Sequence, residues 1–193
     1  MELINNIKLF FKQINTDTEK AIARVLFSKS MTVSTAESCT GGLVSSRLTD
    51  IAGSSVYIKE NYVTYSNEAK KKLLGVSEST LSQYGAVSEE CAREMAEGLF
   101  KNTDCDVALV TTGIAGPGGA TEGKNVGLLF VGVKNKCSIQ VRKYELDSKI
   151  GRKEMKFLFS QKALEFLLEF ILDSESKIFS QKNVEENSDA VSN

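Results

Sequence analysis

The chain alternates between segments with helical spacing and segments with strand spacing, and this alternation restricts the folds available to it. A capping-box sequence at residues 16–19 opens a helical run, and residues 31–35 have the character of a short strand. A helix over residues 42–52 and a strand over 56–65 follow, and a third helix starts at Ser66 or Asn67 and ends at Leu74. This order is typical of α/β domains, in which helices cover a sheet that contains parallel strands.

The later part of the chain adds strands that pair directly. Two further helices are predicted, and the clearer of them begins at Ser88. Residues 107–111 have the composition of a buried strand, and residues 126–133 and 138–146 resemble a hairpin joined through residues 134–136. Helix and strand therefore alternate first, and strands then pair.

Residues 150–172 form the longest helical pattern, with an apolar band wider than one core-facing stripe requires. Two explanations stay open: part of the band packs against another subunit, or the helix lies between the sheet and a neighbouring helix. After residue 172 the composition turns polar, which predicts a disordered tail over 173–193. For a chain of 193 residues we expect one domain over 1–172, in which 1–15 form an N-terminal helical extension.

The charges and cysteines favour a small ligand and a reducing compartment. The chain carries 24 basic and 25 acidic residues, interspersed, for a net charge of -1. Because the basic residues form no stripe, we do not expect nucleic acid or membrane partners. We expect a small-molecule ligand instead. The four cysteines are far apart and form no C-x-x-C pair, which is typical of reduced thiols. No signal peptide or bilayer-spanning run is recognisable, so a cytoplasmic location is predicted.

The chain contains no histidine, which excludes Ser-His and Cys-His catalytic pairs and histidine metal ligands. Ser38 nevertheless stands at a strand-to-helix turn, where a hydroxyl is well placed for attack. The backbone N–H groups of Thr40, Gly41 and Gly42 could hold an oxyanion at this helix start. The alternative is that Ser38 or Thr40 only caps the helix. Cys39 is a rival nucleophile, and its other interpretation is a small buried packing residue.

A lysine is the best remaining base for Ser38, and Lys70 is the candidate. If Asn67 caps the following helix, Lys70 falls in its first turn, where the helix dipole disfavours a protonated amine. Burial would lower the lysine pKa further, and the Tyr65 hydroxyl could relay or orient the proton. The alternative is an exposed lysine at the head of the basic run 70–72.

Residues 112–119 follow the buried strand and contain four glycines and the only proline of the chain. Such a loop lets backbone amides approach an anion closely, as phosphate-cradling loops do. Its predicted ligand residues are Thr112, Gly113, Ile114, Ala115, Gly116 and Gly118. Arg152 stands near a helix start, where the dipole opposes a cation and a bound anion would relieve that cost. The alternatives are a plain flexible connection and a cation in solvent.

Three of these segments, residues 36–42, 65–70 and 112–119, carry a family resemblance by their order and spacing. Together they resemble the C-terminal domain of the competence/damage-inducible protein CinA, a family of nicotinamide mononucleotide deamidases that also occurs as stand-alone proteins. The resemblance runs from about residue 22 to about residue 168. It implies a three-layer α/β/α sandwich around a mixed, mainly parallel sheet, and assembly as a homodimer.

The resemblance also implies roles for individual residues. Ser38 would be the nucleophile on the carboxamide, with Lys70 as its base and Tyr65 assisting. The loop over 112–119 would bind the substrate, and Arg152 matches a basic residue of the family's active site. The implied reaction converts nicotinamide mononucleotide to nicotinate mononucleotide and ammonia through an acyl-enzyme on Ser38. No cofactor and no metal are expected.

Two other classes of function stay open at this point. One is a non-catalytic nucleotide-binding protein, in which the loop and Arg152 hold a phosphate while Ser38 only caps a helix. The other is a serine hydrolase of a different amide, such as a lactam or a peptide. Retention of Ser38, Tyr65 and Lys70 together favours the enzyme. The enzyme hypothesis predicts that these three side chains converge within hydrogen-bonding reach in one cleft bordered by Thr112 and Gly113.

Overall fold

Helices and strands alternate along the described chain and set the frame of the site. The computed structural model describes residues 17–190, and side chains as far as Asp173. The elements in chain order are α1 (17–28), β1 (Val33–Glu37), α2 (Leu43–Thr49), a 3₁₀ turn (Ser54–Val56), β2 (Ile58–Val63), α3 (Asn67–Leu74), α4 (Glu78–Gln83), α5 (Glu89–Asn102), β3 (Val107–Gly113), β4 (Leu128–Asn135), β5 (Ile139–Glu145) and α6 (Arg152–Ala190). The expected N-terminal extension over 1–15 lies outside the described residues. None of the described helices is long and apolar enough to cross a membrane.

Within the described residues, five strands form one sheet in the order β2-β1-β3-β4-β5. β1 pairs in parallel with both β2 and β3, whereas β4 is antiparallel to both β3 and β5. Because two reversals restore the direction, β5 points the same way as β1, β2 and β3. The prediction of a mixed, mainly parallel sheet is therefore confirmed. Glu37 lies opposite Val63 and Thr111, so the carboxyl ends of three parallel strands meet at one edge.

Different helices bury the two faces of the sheet. Along β1, Val33 belongs to the core formed with α1, α2 and α6, whereas Ala36 belongs to the core formed with α3, α4 and α5. Leu109 and Val110 of β3 divide between the two cores in the same way, as the period-two alternation of a strand requires. Two layers of helices thus enclose the sheet, which confirms the three-layer α/β/α arrangement.

The wide apolar band of α6 is buried within the chain itself. Its fully buried apolar side chains, on a helix that contacts α2, β3 and β4, include Met155, Phe159, Leu164, Phe166, Leu167, Phe170 and Ile171. A helix between the sheet and a neighbouring helix therefore accounts for the width of the band. The backbone of α6 continues to Ala190, so most of the segment expected as a disordered tail is helical, as its Glu, Lys and Gln content permits. The domain boundary at residue 172 stays a prediction.

The turn between β4 and β5 lies later in the chain than the sequence predicts. It occupies residues 136–138 rather than 134–136, and β4 continues through Asn135. The Asn135 side-chain oxygen accepts hydrogen bonds from the amides of Cys137 and Ser138 at 2.9 and 2.8 Å. An asparagine that bonds to the backbone two and three residues ahead closes a tight turn, and this fixes where β4 ends.

Candidate active site

Ser38 lies at the carboxyl edge of the sheet, directly after the last residue of β1. Its backbone amide donates to the Thr111 carbonyl oxygen at 3.0 Å, so the neighbouring strand β3 fixes the start of the turn. Since side chains alternate along a strand, Ser38 faces the layer of α3, α4 and α5, whereas Glu37 faces the opposite layer. Ser38 is nearly buried, at 9% exposure, and lines a cleft of about 270 Å³.

Lys70 lies in the first turn of α3, which follows β2 closely. The Ser66 Oγ accepts a hydrogen bond from a first-turn amide at 3.1 Å, so Ser66 rather than Asn67 caps this helix. The Lys70 side chain is 1% exposed. Its Nζ donates to the Ser38 Oγ at 3.1 Å and to the Thr64 carbonyl oxygen at 2.9 Å. The serine and the lysine predicted from separate motifs are therefore in direct contact.

Burial lowers the pKa of the Lys70 amine, because the protonated form loses its hydration in the interior. The neighbouring Cys91 and Cys39 side chains act on that pKa in the opposite sense. Burial also raises the pKa of Cys39 to about 12 and that of Cys91 to about 11, so both are neutral thiols near neutral pH. A neutral Lys70 amine can accept the Ser38 proton, whereas Cys39 lacks the thiolate that a rival nucleophile needs.

Tyr65 lines the same cleft, but its hydrogen bond is to Arg152. The Arg152 Nη2 donates to the Tyr65 hydroxyl at 3.0 Å, and its Nη1 donates to the Gly116 carbonyl oxygen at 2.5 Å. Tyr65 is 59% exposed, and among the described residues it makes no hydrogen bond to Ser38 or Lys70. The three predicted side chains therefore share one cleft, but only Ser38 and Lys70 are within hydrogen-bonding reach of each other, and Tyr65 bonds to Arg152 instead.

The glycine-rich loop over residues 112–119 also lines the cleft. Thr112 is buried and donates from its Oγ1 to the Ala86 carbonyl oxygen at 2.6 Å, which ties the loop to the segment before α5. Gly113 is required by close packing, since a Cβ there would lie 2.5 Å from the Leu128 carbonyl oxygen. The loop amides without a hydrogen bond to any described residue are those of Ala115, Gly116, Gly118 and Gly119. These donors are free to bind an anion.

The turn residues Thr40, Gly41 and Gly42 do not line the cleft that the described residues form, contrary to the sequence prediction. The Gly42 amide, one of the predicted oxyanion donors, instead donates to Glu37 Oε2 at 3.0 Å. The Thr40 hydroxyl is buried against the Thr111 hydroxyl at 2.8 Å. These contacts occupy the Gly42 amide and the Thr40 hydroxyl, and the Gly41 amide donates to the Ser38 carbonyl oxygen at 3.2 Å. Cys39, directly after the nucleophile candidate, does line the cleft.

Several residues of the site escape the sequence analysis. Asn67, Ala86 and Val87 also line the cleft. The sequence indicates Asn67 only as a helix cap, and its position three residues before Lys70 is the signal that could have placed it in the site. Ala86 and Val87 carry no polar side chain, so nothing in their identity marks them as part of a site.

The chain matches a known protein family over most of its length. The family profile described as CinA C-terminal domain matches residues 15–171 of the chain. A CinA-like protein from Chloroherpeton thalassium is 53% identical over 126 residues, which make up 65% of this chain and 30% of that protein. A CinA-like protein from Endomicrobium trichonymphae is 44% identical over 175 residues, which make up 86% of this chain and 40% of that protein. The chain thus spans less than half the length of these curated relatives.

A solved structure agrees with the chain over most of the fold. The crystal structure of the competence/damage inducible protein CihA from Agrobacterium tumefaciens matches with a TM-score of 0.75 and 39% sequence identity. The match covers 79% of this chain and 94% of that chain. The likeness therefore extends over nearly the whole of the solved chain.

Proposed function

We propose that this chain, which belongs to the CinA C-terminal domain family, is an amidohydrolase that converts nicotinamide mononucleotide to nicotinate mononucleotide and ammonia. The observation that carries the proposal is the 3.1 Å contact between the Lys70 Nζ and the Ser38 Oγ in an open cleft. A buried amine beside a serine hydroxyl, with no carboxylate of the described residues in direct contact, is an arrangement suited to a base.

The first half of the reaction forms an acyl-enzyme. The neutral Lys70 amine takes the Ser38 proton as the Ser38 oxygen attacks the carboxamide carbon. The carbonyl oxygen becomes an oxyanion, for which the backbone amide that follows Ser38 is the candidate donor. Collapse of this intermediate breaks the C–N bond, and the Lys70 ammonium returns its proton to the leaving nitrogen, which departs as ammonia.

The second half restores the enzyme. A water molecule gives one proton to Lys70 and attacks the ester carbon. The C–O bond to Ser38 then breaks, the serine oxygen regains its proton from Lys70, and nicotinate mononucleotide leaves. Lys70 therefore serves as base and acid in both halves, which requires a pKa below that of an exposed lysine.

The substrate's phosphate is assigned to the part of the cleft formed by the glycine-rich loop and Arg152. The free amides of Ala115, Gly116, Gly118 and Gly119 and the Arg152 guanidinium line the same cleft, and both favour an anion. Tyr65 hydrogen-bonds Arg152 and so helps to hold the guanidinium at the cleft mouth. This placement leaves the carboxamide end near Ser38. A cytoplasmic location and a homodimer are further expectations of the same proposal.

Ammonia release from nicotinamide mononucleotide by the purified protein tests this proposal. We expect turnover by the wild type and a loss of about a thousandfold or more in Ser38→Ala and Lys70→Ala, since the groups act as a unit. Lys72→Ala, which removes an exposed lysine two residues along α3, is the matched control and should keep full activity. Tight nucleotide binding without ammonia release by the wild type would instead support the non-catalytic binding protein.

A further inference from the structure

Glu37 is a buried carboxylate that takes no part in the reaction described above. It is 1% exposed and follows the strand alternation onto the face away from Ser38. Its Oε2 accepts hydrogen bonds from the amides of Gly42 and Val44, each at 3.0 Å. Its Oε1 accepts from the Ser45 amide at 2.8 Å and from the Ser45 hydroxyl at 2.6 Å. Four donors from the start of α2 thus converge on one carboxylate.

These bonds close the turn that carries Ser38. The turn leaves β1 at Glu37 and enters α2 after Gly42, so the Glu37 side chain joins its two ends. A carboxylate at a helix start is favoured by the helix dipole and by the otherwise unpaired amides. The turn is therefore fixed by side-chain bonds on one face of the sheet while Ser38 projects from the other.

The backbone of Glu37 reaches the other half of the dyad. Its carbonyl oxygen accepts a hydrogen bond from the Thr64 amide at 2.8 Å, and the Thr64 carbonyl oxygen accepts from the Lys70 Nζ at 2.9 Å. Glu37 thus holds the turn of Ser38 through its side chain and the segment of Lys70 through its main chain. A small shift at this residue would change the distance between the two reacting groups.

We propose that Glu37 is a positioning residue, whose bonds to the start of α2 hold the Ser38 Oγ against the Lys70 Nζ. The inference rests on the proposed function only in taking Ser38 as the nucleophile. Misplacement of a reacting group by about 1 Å costs up to about a hundredfold in rate, so a residue with this task should affect reactivity more than stability.

The test is the reaction of Ser38 with a fluorophosphonate probe, together with ammonia release from nicotinamide mononucleotide. Glu37→Gln places an amide NH₂ against backbone N–H donors and so breaks bonds on one side of the carboxylate. We expect the labelling rate and kcat to fall about tenfold or more, with KM for the mononucleotide within about threefold of wild type, because the 115–119 loop is untouched.

Glu94→Gln is the matched control. Its carboxylate binds the start of α4 in the same manner, accepting from the Ser77 amide at 2.7 Å and from the Thr80 hydroxyl at 2.5 Å. Because Glu94 does not contact the Ser38 turn, labelling of this variant should stay at the wild-type rate. Ser45→Ala removes one bond to Glu37 and keeps three, so its labelling should fall about two- to fivefold.

Wild-type labelling of Glu37→Gln, or equal losses in Glu37→Gln and Glu94→Gln, would overturn the inference. If Glu37→Gln does not fold, Ser45→Ala decides, and wild-type labelling of that variant overturns it. A wild type that the probe does not label overturns it as well. If the probe labels as expected but no ammonia is released, the proposed reaction fails while the role of Glu37 stands.

Discussion

At the residue scale, the proposed chemistry depends on the buried amine of Lys70. The Lys70 amine donates hydrogen bonds to two acceptor oxygens, and its side chain is almost completely buried. Its charged form is therefore poorly solvated. The lowered pKa that follows is what makes the amine a base for Ser38, and the same shift must appear in the stability of the protein.

Comparison of Lys70→Met with the wild type over pH measures this shift. Between the lowered pKa of folded Lys70 and the unfolded value of about 10.4, the unfolded state binds more protons. The free energy of unfolding of the wild type minus that of Lys70→Met should therefore increase as pH rises through this window. The increase should be about 1.4 kcal/mol per unit of difference between the folded and unfolded pKa of Lys70. Below the folded pKa the difference should be constant and least favourable to the wild type. Urea unfolding at a series of pH values checks this.

Lys72→Met is the control for that series, because the Lys72 side chain is exposed. Its unfolding free energy should run parallel to that of the wild type at every pH. Parallel curves for Lys70→Met as well would mean that burial does not lower the pKa of Lys70.

The site residues that lie within one short sequence motif could be predicted from the sequence. Ser38, Lys70 and the glycine loop each stand in a compact segment with an unusual composition. The bond between Tyr65 and Arg152 joins residues 87 positions apart, so no local pattern could reveal it. The role of Glu37 could not be predicted from the sequence either, because only the fold shows that its carboxylate is buried against the start of α2.

At the scale of elements, the packing of α3 on α5 places Lys70. The C-terminal end of α3 crosses α5 at Gly98, where a Cβ would lie 1.7 Å from the Leu74 carbonyl oxygen. Only glycine permits this approach, so the depth at which α3 sits depends on one residue.

The bounds of the helices and strands were predicted from the sequence to within a few residues. The turns that end them depend on side-chain hydrogen bonds, such as those that Asn135 accepts, which the sequence pattern does not show.

Gly98→Ala should therefore lower stability and displace α3. Because the clash is with backbone, we expect a loss of about 2 kcal/mol or more, seen as a fall in Tm of about 4 °C or more. Gly151→Ala, where nothing lies within 4 Å of the added Cβ, should melt like the wild type. Equal melting of the two variants would show that α3 and α5 do not pack this closely.

At the scale of the whole molecule, one buried cluster of polar side chains joins α1, α2 and α6 on one face of the sheet. The Arg47 Nε donates to Glu19 Oε1 at 2.6 Å, and its Nη1 and Nη2 donate to Ser160 and Gln161 at 2.7 and 2.5 Å. Arg47 and Glu19 are 2% and 3% exposed. α1, α2 and α6 are thus held together by polar bonds inside an apolar layer. Sequence patterns predicted the helices, but the partners of a buried arginine follow only from their assembly.

Removal of Arg47 should destabilise the protein strongly. Arg47→Met leaves the Glu19 carboxylate buried without its partner, at a cost of about 3–5 kcal/mol. Burial already raises the pKa of Glu19, so the loss should shrink as pH falls and the carboxyl is protonated. Arg93→Met breaks an exposed pair with Glu89 and should cost less than about 1 kcal/mol. Urea unfolding of both variants measures the difference, and similar losses would contradict the assignment.

In the proposed mechanism, Ser38 carries the acyl group while Lys70 moves the proton. Intact-mass spectrometry of protein quenched during turnover of nicotinamide mononucleotide tests it most directly. We expect a covalent adduct with the mass of the substrate less ammonia, located on the peptide that contains Ser38 and absent from Ser38→Ala. Ammonia release by Ser38→Ala at the wild-type rate, with no adduct on the wild type, would contradict the account.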